Sequence, residues 1–217
     1  MPEATVHTIE ATTHGRYLVR PPSEGAGRVA VIGFHGYGQS AEDLMAELEC
    51  LPGSAAWLLV SVQGLHRFYC RGNEAVVASW MTRQDRALAI ADNIAYVDAV
   101  VTAVRSRHAF ERLVFLGFSQ GTGMASRAAA HAGEACHALV LLGGDVAPEV
   151  RAGGARLPRT VIGRGSTDAF YAAEQFAADR ECLEDRGALA AAVEFTGGHA
   201  FTDTFRAAAS ALIASVA

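Results

Sequence analysis

Six short runs of unbroken apolar residues divide this chain of 217 residues, at positions 28–34, 57–62, 112–117, 138–142, 159–163 and 190–196. A strand with one face in water alternates apolar and polar residues, whereas a strand covered on both faces has no such need. The runs therefore predict buried strands. Between them lie segments of helical period. In the clearest, Ile90, Ile94, Val97, Val101 and Val104 recur at steps of four and three, while Asp92, Asn93 and Arg105 point elsewhere. Further helices are expected near 41–50, 121–132, 169–187 and 202–215. Strands alternating with helices predict a mostly parallel central sheet with helices on both faces, an α/β class. Weak alternation before residue 28, in TVHTIEAT and RYLVRPP, suggests an antiparallel edge hairpin. No stretch reads as a linker, so residues 1–217 are expected to form a single domain.

Several function classes fall away on charge and termini. The formal net charge is -5 with no Lys/Arg cluster, so no nucleic-acid or anionic-membrane surface is expected. The opening MPEATVHTIE has neither a basic start nor an apolar core, so no signal peptide is read. No run approaches about 18 uninterrupted apolar residues, so no membrane span is expected. Cys50, Cys70, Cys136 and Cys182 are scattered, without a CxxC pair or a histidine at metal-ligand spacing. Reduced thiols, no metal and a cytoplasmic location are expected.

The third apolar run ends in Gly117-Phe118-Ser119-Gln120-Gly121. The pattern G-x-S-x-G arises by chance in roughly 0.1 copies per chain of this composition, so context decides its meaning. Here an apolar strand precedes it and a helical pattern follows at once, the setting of a nucleophile elbow. A serine hydroxyl is a weak nucleophile until a neighbouring base takes its proton. An acid and then a histidine should follow, each after a later strand. Asp168 follows the run 159–163, and His199 follows the run 190–196. In these roles His199 would accept the Ser119 proton and Asp168 would orient the imidazole. Other readings stay open at this stage. Asp145 is a rival acid, Asp168 could cap a helix starting near Ala169, and His199 could be an incidental loop residue.

A developing oxyanion needs backbone donors. The N–H of Gln120 is one candidate, and that of Tyr37, in the loop Phe34-His35-Gly36-Tyr37-Gly38-Gln39-Ser40, is the other. His35 is expected to be structural. Residues 36–41 also fit G-x-G-x-x-A, a relaxed dinucleotide fingerprint, but the next strand region, WLLVSVQG, lacks the acidic residue such a site wants. Residues 64–86, a loop after the second buried strand with Leu65, Phe68, Tyr69, Trp80 and Met81, could line a substrate mouth or pack as a satellite core. Arg67, Arg71 and Arg83 could meet an anionic group there or remain solvated.

Taken together, HGYG, GFSQG, the G-x-x-D ending at Asp168, and GGH resemble the phospholipase/carboxylesterase family of α/β-hydrolases, which includes acyl-protein thioesterases and lysophospholipases. The resemblance runs from about residue 28 to the C-terminus. It implies the α/β-hydrolase fold without a large lid domain, a Ser119–Asp168–His199 triad, and oxyanion donors at Tyr37 and Gln120. It also implies cofactor-free hydrolysis of a small-molecule ester or thioester. The chain departs from the family at two places: Tyr37-Gly38-Gln39 replaces the usual leucine-glycine-aspartate, and Thr122 stands where a further glycine is common. Dienelactone hydrolases are related in fold but carry a cysteine where this chain has Ser119. A catalytically silent ligand-binding protein on the same scaffold is the alternative reading, with a dinucleotide-binding oxidoreductase behind it.

Overall fold

The computed structural model describes residues 3–25, 27–70, 72, 74–131 and 133–217. In chain order the strands are β1 (Arg16–Arg20), β2 (Val29–Phe34), β3 (Leu58–Gln63), β4 (His66–Tyr69), β5 (Val76–Ser79), β6 (Arg112–Phe118), β7 (Ala138–Leu142), β8 (Arg159–Gly165) and β9 (Leu189–Phe195). The α-helices are α1 (Ala41–Glu49), α2 (Arg86–Arg105), α3 (Gln120–His131), α4 (Pro148–Ala152), α5 (Ala173–Asp185) and α6 (Asp203–Ala214). Seven strands form one sheet in the order β1-β3-β2-β6-β7-β8-β9. All its pairings are parallel except that of β1 with β3.

Each of the six apolar runs is a strand of the parallel part; burial on both faces explains the lack of alternation in β2, β3, β6, β7 and β8, whereas β9, expected to be buried, is an edge strand and only partly covered. Along β2, Ala30, Ile32 and Phe34 join a layer containing Val97 and Val101 of α2, Met124 of α3 and Phe176 of α5. Val29 and Val31 face the other way, among Leu44 and Leu48 of α1 and Phe205 and Ile213 of α6. Helices thus cover both faces. Burying each such side chain stabilises the fold by about 1.5–3 kcal/mol.

Four local expectations need correcting. The region before residue 28 supplies one edge strand, β1, rather than a hairpin, because its partner is β3. Asn93 does not point to solvent; it is buried, and its Nδ2 donates to Trp80 O at 2.7 Å and Ala89 O at 2.6 Å. The helix foreseen from residue 169 begins at Ala173, with Ala172 at its N-cap, so Asp168 caps no helix. Residues 64–86 are not simply a loop, since β4 and β5 pair as an antiparallel ribbon and Ala78 bridges to Gln39. α2 is long and apolar enough to cross a membrane, with a mean hydropathy of 1.6. Its apolar run is nevertheless broken by Asp92, Asn93 and Asp98, and Val97, Val100, Val101 and Val104 are buried against the sheet.

Because β2, β6, β7, β8 and β9 run parallel, the loops after them open along one edge of the sheet, where ligands bind in open α/β folds. That edge holds Tyr37, Ser119, Gln120, Asp168 and His199.

Candidate active site

Ser119 is the turning point between β6 and α3. Its φ is 53°, in the left-handed region that costs a non-glycine residue of order 1–3 kcal/mol. The surroundings hold it there. Ser119 N donates to Leu142 O at 2.8 Å, and Ser119 O accepts from Thr122 N at 3.0 Å and Thr122 Oγ1 at 2.7 Å. Thr122 Oγ1 also reaches Asp145 O at 3.0 Å, so the departure from the family pattern at Thr122 adds a tie across the elbow. The glycines flanking the serine are required by close approach. A Cβ on Gly117 would lie 2.4 Å from Gly121 O, and one on Gly121 would lie 2.0 Å from Phe34 O.

Asp168 and His199 meet. His199 Nδ1 lies 2.8 Å from Asp168 Oδ2, while Asp168 Oδ1 accepts from Phe170 N at 2.9 Å and Tyr171 N at 3.1 Å. The Asp168 side chain is only 1 % exposed. Burial alone would raise its pKa, but the His199 hydrogen bond and the two N–H donors outweigh this and hold the carboxyl below its ordinary value. Asp145, the rival acid, lies elsewhere in the site and makes no hydrogen bond to His199. The imidazole packs between Phe118 and Phe170, each with its ring centroid 4.9 Å away.

Ser119 Oγ and His199 form no hydrogen bond among the described residues, although both border the turn after β7. A Cβ on Gly143 would lie 3.0 Å from His199 Cε1, and one on Gly144 would lie 2.4 Å from Ser119 O. That turn and the acid loop share a buried anchor that no sequence pattern revealed. Asp179 Oδ2 accepts from Tyr171 Oη at 2.7 Å and from Val146 N at 3.4 Å, while Arg151 pairs with Asp179 Oδ1 at 3.2 Å. Burial raises the Asp179 pKa; burial and the adjacent carboxylate raise that of Tyr171.

The two candidate oxyanion donors, Tyr37 N and Gln120 N, come from separate elements joined through a third. The Gln120 side chain accepts from Trp80 N at 2.9 Å and donates from Nε2 to Met81 O at 2.9 Å. The same segment grips the other loop: Gly38 N donates to Ala78 O at 2.9 Å, Ala78 N to Gln39 O at 2.9 Å, and Trp80 Nε1 to His35 O at 2.9 Å. His35 is buried, with Nδ1 2.7 Å from Gly36 O and Nε2 accepting from Gly64 N at 2.9 Å. Burial holds its pKa below the ordinary value, so the ring is a neutral strut at pH 7. Residues 78–81 thus brace both donors. Sequence reasoning singled out Gln120 for its backbone and missed its amide.

A cleft of about 380 Å³ opens at the serine, lined by Met81, Arg83, Ser119, Gln120, Arg127 and Asp145 among others. The ribbon residues divide between two fates: Trp80 and Ala78 are core, whereas Phe68 and Tyr69 are exposed, Phe68 stacking with Tyr37 at 5.6 Å. Arg67 is committed to His14 O, Arg83 borders the cleft, and Arg71 lies outside the described residues. A larger cavity of about 700 Å³, between residues 10–15 and α2, contains none of the candidate catalytic residues. The dinucleotide fingerprint finds no free helix end. Ser40 caps α1 in a reciprocal pair with Asp43, and Ala41 N donates to Gln63 Oε1 at 2.8 Å.

Comparison with known proteins bears on the family and the fold. A sequence profile for the family described as alpha/beta hydrolase fold matches residues 31–174. No curated protein matches the chain. Among solved structures, esterase PE8 superposes with a TM-score of 0.75 at 21% identity, over 94% of this chain and 100% of that one. Acyl-protein thioesterase 2 of Zea mays superposes with a TM-score of 0.72 at 16% identity, covering 93% and 99%. A carboxylesterase from Mesorhizobium loti gives 0.70 at 21% identity, covering 92% and 94%. At these identities the likeness is one of fold.

Proposed function

The chain belongs to the α/β-hydrolase family, and on that premise we propose that it is a cytoplasmic serine hydrolase that cleaves carboxylic esters or thioesters of small molecules. The observation that carries this reading is the 2.8 Å contact between His199 Nδ1 and Asp168 Oδ2 beside a serine held in the left-handed region. A carboxylate accepting from Nδ1–H fixes the tautomer and leaves the Nε2 lone pair to act as base.

In the proposed reaction, Ser119 Oγ attacks the carbonyl carbon as its proton passes to His199 Nε2. Asp168 stabilises the resulting imidazolium. The N–H groups of Tyr37 and Gln120 receive the oxyanion, and loss of one such donor typically costs about 10²–10³ in rate. His199 then protonates the departing alcohol or thiol, leaving an acyl group on Ser119. A water molecule, deprotonated by the same imidazole, releases the acid. The hydroxyl–imidazole hydrogen bond closes on substrate binding, as catalytic contacts commonly tighten only in the complex. Structural relatives named as an esterase, a carboxylesterase and a thioesterase are compatible with either leaving atom.

The expected result is that Ser119→Ala abolishes hydrolysis of short 4-nitrophenyl esters and labelling by a fluorophosphonate probe while thermal unfolding is unchanged. Full activity in that variant would overturn the proposal. Failure of the wild-type protein to react with the probe would favour a silent ligand-binding protein instead.

A further inference from the structure

Resting on the hydrolase reading, we infer that the substrate carries an anionic group, a carboxylate or phosphate, which binds the guanidinium of Arg127 in the cleft beside Ser119. Arg127 lies two helical turns beyond the nucleophile on α3 and borders the same cleft. Its side chain is only 5% exposed. A cation so deeply placed must be compensated. Its Nε donates to Glu149, whose other oxygen accepts from Arg86 at 3.0 Å. Its Nη1 and Nη2 have no acceptor among the described residues. Those two amino groups are what a planar oxyanion engages side by side.

The local backbone makes room for this arrangement. A Cβ on Gly123, which also lines the cleft, would lie 3.1 Å from Nη1 and 3.8 Å from Nη2. The guanidinium therefore rests against the helix on the nucleophile's side. The charges in and around the cleft favour an anion. Arg83 is exposed and without an ion pair among the described residues, and Arg86 and Arg127 share Glu149 between them. Burial would raise the Glu149 pKa, but its guanidinium hydrogen bonds bring it down to about 2, so it is ionised and spent on its two partners. Glu149 lies behind the lining; Asp145 is the carboxylate within it and forms no ion pair with Arg127. Three guanidinium groups thus stand against two carboxylates, and Arg127, the most buried of the three, keeps both amino groups free for a ligand.

The test compares matched substrates on the wild-type protein. One arm uses 4-acetoxybenzoate, a second 4-acetoxyphenyl phosphate, and both are read against methyl 4-acetoxybenzoate. A third arm uses the phenyl thioester of adipic acid against that of its monomethyl ester, placing the charge on the acyl side. Since hydrogen bonds to a charged group are among the stronger ones, kcat/KM for at least one anionic substrate should exceed that of its neutral partner by about tenfold or more. The arm that responds identifies carboxylate or phosphate and the side of the scissile bond. In Arg127→Met the ratio should fall to about one, and in Arg127→Lys to an intermediate value. Equal or faster cleavage of every neutral partner by the wild-type protein overturns the inference and leaves the hydrolase reading intact. A preference that survives in Arg127→Met overturns it as well. Absence of hydrolysis in every arm, with no fluorophosphonate labelling, removes the hydrolase reading and this inference with it.

Discussion

The brace formed by residues 78–81 gives the most discriminating prediction, because it separates stability from catalysis within one side chain. In Gln120→Leu the volume is kept and the amide is lost. Trp80 N, in a residue with no exposed surface, then loses its acceptor, whereas Met81 O keeps a donor in Ser79 Oγ at 2.9 Å. One orphaned buried N–H should cost about 1–3 kcal/mol. For a chain of this length, about 2 kcal/mol corresponds to a fall in Tm of roughly 4–8 °C. The catalytic effect is separate. Without its tie to Gln120, the 78–81 segment no longer fixes the loop that presents Tyr37 N against the elbow that presents Gln120 N. Partial loss of one proposed oxyanion donor should lower kcat by about 10- to 100-fold with KM nearly constant. Steady-state kinetics on a short ester and calorimetric melting decide the matter together. A full fall in Tm with unchanged kcat would show that the brace supports the fold and nothing else.

Asp168→Asn should keep the fold but reduce kcat by about 10³–10⁴, because the amide oxygen stays with Phe170 N and Tyr171 N, the NH2 then donates toward Nδ1, and the productive imidazole tautomer is lost; burst kinetics would show slowed acylation. Gly121→Ala places a methyl 2.0 Å from Phe34 O and 2.7 Å from His35 O, both backbone atoms. Overpacking that cannot be relieved by a side chain should cost about 3 kcal/mol or more, read as a lower Tm or loss of soluble protein. For His35, whose folded pKa is depressed by burial, the unfolded chain binds the extra proton first. Its stabilising contribution is therefore complete above the ordinary histidine value of about 6.5 and declines as pH falls from there toward the folded pKa. Tm measured between pH 7 and 5 should fall more steeply for the wild-type protein than for His35→Gln, and parallel curves would refute the assignment.

The parallel sheet was legible because its inner strands are buried on both sides and carry that fact as unbroken apolar runs, whereas the run at β9 reads the same but lies at a partly exposed edge. The elbow was legible because strand, sharp turn and helix are contiguous. What escaped depends on contacts between distant segments. HRFY and VVAS carry little strand signal and become a ribbon only through each other and through Gln39. Asn93 reads as a solvent-facing residue, yet its burial follows from where Trp80 O happens to lie. Arg127, set in an alanine-rich helix, looks like an ordinary surface cation until Glu149 of a later helix covers it. Phe170 packs on His199 although it is 82% exposed, so its role could not be read from hydrophobicity.

The ribbon is fastened at its base, where Ala78, Ser79, Trp80 and Met81 engage the elbow and the first loop, while Tyr69 and Val76 at its far end are open to solvent. On the reading proposed above, the base of this hairpin serves the bond-breaking step, and Phe68 still touches the first loop through Tyr37. Substitutions at Tyr69 and Val76, beyond that contact, should leave the proposed bond-breaking step unchanged, which makes the tip the natural place to graft new contacts.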